Sequence, residues 1–148
     1  MLLKNRFLKL FAYATLCFVI TGTVMSQDTP AGIVESFKKG NARELARHFN
    51  NNIELVVLDN EDVYSKSQAE LILRDFFSVN PPVKFDMLHQ GGPKASRFGI
   101  GNLQTKNGNF RIHFLLRLKD NIYLIHLLRI EKIEGAFVIP EPDNLLGD

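Results

Sequence analysis

Cysteine is almost absent from this sequence. The chain of 148 residues contains one, Cys17, so it cannot close an internal disulfide or build a zinc site from cysteines alone. Cys17 also lies in an N-terminal segment that we expect to be removed. The mature domain is therefore expected to lack thiol chemistry and to be held together by its apolar core.

A hydrophobic run long enough to span a membrane is also lacking. The apolar stretch from about residue 10 to residue 19 is shorter than the roughly 20 residues that a membrane-spanning helix needs. We predict that residues 1–26 are a cleaved signal peptide and that residues 27–148 form one mature domain. An uncleaved anchor is the alternative, whereas a lipoprotein anchor at Cys17 is disfavoured by the bulky Leu16. The signal features are basic residues before the apolar run and small residues around the cut: Lys4, Arg6, Lys9, Val24 and Ser26.

The sequence has no strong excess of charge of one sign. The whole chain carries a net charge of +2, and residues 1–26 hold three basic and no acidic residues, so cleavage takes the net charge to −1. Such a domain offers no basic surface for nucleic acid. We expect an exported protein, periplasmic or secreted, that touches the membrane only through its signal sequence.

The mature chain begins with helical patterns. Thr29 and Pro30 predict the start of a short helix that stops at Gly40, and a second helix follows at once, with Asn41 and Glu44 at capping-box spacing. A hairpin is expected over residues 53–64. The third helix is predicted to start at a capping box of Ser67 and Glu70 and to end before Pro81-Pro82, with an apolar face made of Ala69, Ile72, Leu73, Phe76 and Phe77.

The second half of the chain is predicted to be four strands, at about residues 83–90, 95–105, 109–119 and 122–134. The expected order is α-α-β-β-α-β-β-β-β, an α+β domain whose helices pack on one face of a strongly bent antiparallel sheet. Gly99 and Gly101 fit a kink or bulge in that sheet. They do not form a dinucleotide motif, because a third glycine and a following helix are missing.

This element order resembles the nuclear transport factor 2-like superfamily, a cystatin-like cone fold. Four stretches are also similar to a family of exported bacterial domains of unknown function: FKKGNARELARHFNNNIELVV, YSKSQAELILRDFFSVNPPVKFDMLHQG, RFGIGNLQTKNGNFRIHFLL and LLRIEKI. The resemblance spans nearly the whole mature chain. It implies the cone fold, and dimers through the sheet are common in that fold. It implies no activity or site residues.

Two histidines in the last hairpin are candidates for a site. If Asp120-Asn121 is a two-residue turn, Leu115 pairs with His126 and His113 pairs with Leu128, which puts both histidines on one face. No third ligand is evident, so we predict no metal site. The opposite face, with Phe110, Phe114, Tyr123, Ile125 and Leu127 among its members, is expected to meet the helices. The histidine face mixes apolar and basic groups and is the expected homodimer interface: Arg111, His113, Leu115, Arg117, Leu124, His126 and Leu128.

A second candidate is a pocket inside the cone. Its expected lining is Phe85, Met87, His89, Asn102, Arg129 and Glu131. The preferred interpretation is a non-catalytic module that binds a protein or a small apolar ligand without a cofactor. The alternative is a small isomerase or hydrolase acting on an apolar substrate, with His89 and Glu131 as acid and base. That alternative fails if the phenylalanines fill the interior: Phe76, Phe77, Phe85, Phe110 and Phe114.

Overall fold

The structure is a computed structural model that describes residues 29–135. The expected signal peptide, residues 1–26, lies outside the described residues. Three helices and six strands follow the predicted order α-α-β-β-α-β-β-β-β. Their bounds are α1 Ala31–Lys39, α2 Ala42–Arg47, β1 Phe49–Val57, β2 Asn60–Ser65, α3 Lys66–Val79, β3 Pro82–Gly91, β4 Ser96–Thr105, β5 Gly108–Lys119 and β6 Ile122–Lys132. None of the described helices is long and apolar enough to cross a membrane.

The helix ends follow local capping rules, with two departures from the predicted caps. Gly40 ends α1 in the left-handed conformation, φ 62°, and the Asn41 side chain accepts a hydrogen bond from the Glu44 N–H at 3.1 Å, as predicted. The N-cap of α1 is Pro30 rather than Thr29. The capping box of α3 is made by Ser65 and Gln68, not by Ser67 and Glu70, because Ser65 keeps the extended backbone that an N-cap needs.

The six strands form one open sheet in the order β2-β1-β6-β5-β4-β3. Neighbouring strands are antiparallel except β1 and β6, which run parallel. The apolar sides of all three helices pack on one face of this sheet, which we call the inner face. The opposite, outer face carries no helix within the described part of the chain. The α+β cone-like arrangement that the sequence predicts is confirmed, and the parallel contact of β1 with β6 is the one departure from the predicted antiparallel sheet among the described strands.

Phenylalanine rings fill the space between the helices and the inner face. Phe37 stacks on Phe85 with ring centroids 4.9 Å apart and lies 6.4 Å from Phe114, while Phe76 meets Phe110 edge-on at 5.0 Å. Two rings lie directly over glycines of β4. A Cβ atom at Gly101 would lie 2.5 Å from the Phe85 ring, and one at Gly99 would overlap the Phe114 ring. These glycines are therefore required by ring packing, and the irregularity that they were expected to mark lies opposite them, at Leu88 of β3.

A bulge in β6 changes the predicted register of the last hairpin. Asp120 and Asn121 form the expected two-residue turn, with φ of 50° and 61°, and the first four pairs agree with the prediction. The register then shifts, so that Leu115 pairs with Leu127. The predicted pairs of Leu115 with His126 and of His113 with Leu128 are wrong, because His126 is the extra residue of the bulge.

The bulge reverses which side chains of β6 face the helices. Leu128 and Ile130 are both 0% exposed in the core, although alternation from Tyr123 and Ile125 predicts that they face outward. Leu127, which was expected on the inner face, pairs with Leu115 on the outer face. The reversal lets Leu128 and Ile130 lie beside Leu55 and Val57 of β1, which belong to the same core.

Candidate functional site: the outer face of the sheet

A row of apolar side chains crosses the middle of the outer face. We call it the outer apolar row. Leu127 and Leu115 pair across β6 and β5, and Leu115 pairs with Phe98 of β4. Val63 of β2 continues the row beyond Glu54 of β1. Phe98 is 42% exposed and Val63 is 63% exposed, so the row presents apolar surface to solvent in the described structure.

A charged cluster lies next to the outer apolar row. The Arg129 guanidinium lies 3.3 Å from a carboxylate oxygen of Glu131 and 3.8 Å from one of Glu61. The other Glu131 oxygen lies 3.8 Å from Nε2 of His113. Val56 separates Arg129 from Glu61 in the sheet and is only 4% exposed, which indicates that the long side chains of these two residues cover it.

Charge is unevenly distributed across this face. The outer side of β1 and β2 carries Glu54 and Glu61 and, in the described chain, no basic residue. The outer side of β5 carries Arg111, Arg117 and Lys119 and no acidic residue. The outer face is thus acidic along β1 and β2 and basic along β5, with β6 between them.

Six of the seven predicted interface residues lie on this face. Alternation along β5 places four of them there, and Leu124 pairs with Arg117. His126 lies near the positive charges of Arg117 and Lys119. Burial lowers the pKa of its imidazole, and these two charges lower it further. Leu128 is the exception, because the bulge turns it into the core. The six that lie on the face are Arg111, His113, Leu115, Arg117, Leu124 and His126.

The predicted pocket does not form as one site. Phe85 is 3% exposed inside the phenylalanine cluster, and Met87 packs against the same core. The other predicted lining residues share the outer face. The bulge at Leu88 turns His89 outward, and the bulge at His126 turns Arg129 and Glu131 outward. Asn102 faces outward by plain alternation along β4, opposite Arg111.

The proposed acid–base pair of His89 and Glu131 is not assembled. His89 is on β3 and Glu131 on β6, with β4 and β5 between them. Three strand spacings of about 4.8 Å separate the two backbones by roughly 14 Å. A surface groove of about 460 Å³ contains Glu131, but its other lining residues do not include His89: Leu58, Asp59, Lys132 and Glu134. The expectation that His89 and Glu131 share a pocket is therefore wrong.

Asn102 stands out among the outer-face residues. Its Oδ1 atom is buried and accepts no hydrogen bond from any group in the described structure. It lies between Arg111 of β5 and Asp86 of β3. A buried acceptor without a donor is uncommon in folded proteins. No cluster of three or more histidine, cysteine, aspartate or glutamate residues within the described range could hold a metal ion.

Sequence reasoning missed the contribution of the other strands to this face. Phe98 and Ile100 of β4 alternate with Gly99 and Gly101, so the glycines mark the inner positions and the large residues the outer ones. That local signal was available in the sequence. The contribution of Glu61 was not, because it depends on the parallel pairing of β1 with β6.

Comparison with known proteins places the chain in a family. Residues 30–131 match the model described as Domain of unknown function (DUF4783). A DUF4783 family protein from Bacteroides ovatus, known from a crystal structure, is 38% identical in sequence to this chain. It has a TM-score of 0.70, and the match covers 74% of this chain and 99% of that one. No curated protein matches the chain.

More distant structures share the fold alone. A substituted form of the NTF2-like design Rd1NTF2_05 is 12% identical in sequence to this chain and has a TM-score of 0.56. The match covers 68% of this chain and 90% of that one. A domain from Nostoc punctiforme with a cystatin-like fold is 8% identical with a TM-score of 0.58, covering 72% and 74%. Both agree with the cone fold described above. The chain belongs to the DUF4783 family and has the nuclear transport factor 2-like fold.

Proposed function

We propose that this protein is an exported, non-catalytic binding module that forms a homodimer through the outer face of its sheet. The observation that carries the proposal is the outer apolar row, Val63, Leu127, Leu115 and Phe98, in the middle of a face without helices. Leu127, Leu115 and Phe98 are direct neighbours across three strands, and contiguous exposed apolar surface is usually an interaction site.

The charges of the face favour a second copy of this chain as the partner. A twofold axis along β6 would lay β1 of one copy over β5 of the other. Glu54 of each copy would then lie over β5 of its partner, the strand that carries Arg111 and Arg117. A twofold interface of this kind is self-complementary in charge.

The face also has the size that a stable dimer needs. Six strands about 4.8 Å apart, each about ten residues long at about 3.3 Å per residue, offer a face of roughly 900 Å². A standard protein interface buries about 800 Å² on each partner. A dimer of standard size would therefore cover most of the face, including the charged cluster beside the outer apolar row, and polar groups of this kind are usual in the rim of an interface.

The filled interior favours binding at surfaces. Because Phe37 packs against both Phe85 and Phe114, a small apolar ligand would have to displace core side chains to enter. We therefore infer that the dimer binds other molecules through its surface. The proposed location is the periplasm or the cell exterior, after cleavage of residues 1–26, and it is tested by finding the N-terminus of the mature protein.

The test of the dimer is the molar mass of the purified protein by light scattering, compared across three variants. Leu115→Lys introduces a charge into the outer apolar row and is expected to give a monomer at concentrations where the wild-type protein is a dimer. Leu124→Lys is expected to act in the same direction. Leu71→Lys is the matched control, because Leu71 is 55% exposed on α3, on the helix side of the molecule.

Thermal melts of the three variants separate dissociation from unfolding. A monomeric wild-type protein at micromolar concentration would refute the dimer. So would a dimer that Leu115→Lys and Leu124→Lys leave intact.

A further inference from the structure

A groove between the helices collects positive charge from three separate elements. We call it the basic groove. It has a volume of about 440 Å³ and lies where the turn between α1 and α2 meets the second half of α3. Its cationic residues are Lys39 from the end of α1, Arg43 from α2 and Arg74 from α3. The remaining lining residues are Gly40, Asn41, Ala42, Phe77 and Ser78, so no carboxylate lines it.

The cations of the basic groove are only partly neutralised by neighbouring acids. Arg74 is held by Glu70 at 2.6 Å, and Lys39 lies 3.9 Å from Glu35, which is closer to Lys38. Arg43 makes no ion pair or side-chain hydrogen bond within the described residues. By contrast Arg47, on the same short helix, pairs with Glu44 at 3.2 Å. The groove therefore has cationic capacity that the protein itself does not use.

Local folding explains why these three side chains lie together. Gly40 in its left-handed conformation reverses the chain between α1 and α2, with its N–H bonded to the Phe37 carbonyl. A side chain at Gly40 would meet the Pro82 ring at 2.8 Å, so this turn packs tightly against the start of β3, three residues after the end of α3. Ala42 and Phe77, 4% and 6% exposed, close the floor of the groove.

We propose that the basic groove binds a phosphoryl group carried by a larger molecule. Two guanidiniums and one ammonium suit an anion that bears two negative charges and several oxygens, since guanidinium pairs best with such groups. The volume exceeds what one phosphate fills, which leaves room for an organic part over Ala42 and Phe77. The shared chemistry is a phosphate ester, either of a soluble compound or of a lipid headgroup.

This site is independent of the proposed dimer. The basic groove is formed by the helices, which pack on the inner face, whereas the dimer would use the outer face. Its residues stay accessible when two outer faces meet. A failure of the dimer proposal leaves the groove untouched, and the two are measured separately.

Isothermal titration of the full protein with inorganic pyrophosphate tests the site. Arg43→Gln and Arg74→Gln are each expected to weaken binding by at least about tenfold, the usual cost of losing a charge-assisted hydrogen bond. Arg47→Gln removes the same charge from α2 outside the groove and is expected to change the affinity by less than about twofold. Circular dichroism melts establish that each variant is folded.

Co-sedimentation with vesicles distinguishes the two sources of the phosphoryl group. Binding to vesicles of phosphatidylcholine and phosphatidic acid, whose headgroup is a phosphate monoester, supports the lipid headgroup if it is lost in Arg43→Gln but kept in Arg47→Gln. Pyrophosphate binding without vesicle binding supports a soluble ester. The proposal is overturned if neither probe binds, or if Arg43→Gln and Arg47→Gln weaken binding equally, which is the result expected from diffuse charge alone.

Discussion

The two faces of this sheet come from the same strands but are packed differently. On the inner face, Phe85 and Phe114 lie directly over Gly101 and Gly99, and the apolar residues there are almost completely buried. On the outer face, Phe98 is 42% exposed beside Leu115 and is bordered by charged residues. The inner face already has its packing partners in the helices. The outer face has apolar area without a partner in the described chain, and the proposed dimer rests on this difference.

Two bulges decide which residues belong to which face. At Leu88 and at His126 one strand gains an extra residue, and the side chains beyond it exchange sides. Without the bulge in β6, Arg129 and Glu131 would point into the phenylalanine cluster, where charged groups are costly to bury. The bulges thus keep the inner face apolar while they gather the charged groups outside.

The largest expected difference between the faces comes from removing a ring. Phe37→Ala takes out a side chain that is 0% exposed and contacts the rings of Phe77, Phe85 and Phe114. We expect the free energy of unfolding to fall by about 3–5 kcal/mol. Phe98→Ala is the outer-face counterpart and is expected to cost less than about 1 kcal/mol at concentrations where the protein is monomeric. Urea denaturation measures both.

The same two variants also test whether a second copy of the chain covers the outer face. If the dimer forms, Phe98→Ala should lose more stability as protein concentration rises, while the loss in Phe37→Ala should stay constant. Equal losses for the two variants at low concentration would contradict the distinction between a packed inner face and an open outer face.

The next expected effect comes from filling a glycine position. Gly99→Ala places a methyl group where the Phe114 ring lies, and neither group can move freely in the core, so we expect a loss of about 3 kcal/mol. Gly91→Ala is its outer-face control. The added atom would lie 3.3 Å from the exposed Phe98 ring, which can move aside, so the change is expected to stay within about 1 kcal/mol.

A second substitution shows whether ring overlap is the cause. Phe114→Leu frees space over Gly99, so the double variant Gly99→Ala/Phe114→Leu should lose less stability than the sum of its two single changes. Strict additivity in this double-mutant cycle would argue that the cost of Gly99→Ala arises from the backbone instead.

Local pattern was enough to predict the elements but not the register of the last strand. Helix caps, apolar periods and turn residues are local, which is why the element order could be read from the sequence. In YLIHLLRI, two leucine-containing apolar pairs flank His126, so alternation fits the sequence in either of two registers. The choice depends on Leu55 and Val57 of β1, which lie beside Leu128 and Ile130 but are about 75 residues away in sequence.

The candidate site could be predicted only in part for the same reason. The β5 residues of the outer face follow from alternation within one strand. The pairing of Glu61 with Arg129 depends on the parallel contact between β1 and β6, which has no local signal. The cap of α3 shows a smaller ambiguity: Ser65 with Gln68 and Ser67 with Glu70 both have capping-box spacing, and the backbone conformation selects the first.

The smallest expected effects are pH dependences caused by one histidine on each side of the sheet: His48 affects the free energy of unfolding, and His126 also affects the dissociation of the dimer. His48 ends α2 on the helix side, with its ring against Gly32. Burial lowers its pKa below 6.5, Glu44 opposes that shift, and Lys66 adds to it. Below pH 6.5 the histidine is therefore protonated more readily in the unfolded chain than in the folded chain. Protonation thus favours unfolding, so the free energy of unfolding should fall as the pH drops from 6.5 toward the lowered pKa. Above pH 7.5 this contribution is expected to vanish, since both states are then neutral.

His126 should make dimer formation depend on pH, in addition to contributing to the pH dependence of folding. Its pKa is lowered by burial, Arg117 and Lys119, and coverage of the outer face would desolvate the ring further. Protonation below pH 6.5 would add a charge next to those bases, so the dimer dissociation constant should rise as the pH falls. His126→Gln is expected to flatten that rise, whereas His48→Gln should leave it in place and reduce only the pH dependence of unfolding. If His48→Gln instead flattened the dissociation curve, the dimer would have to involve the helix side, and the assignment of function to the outer face would be wrong.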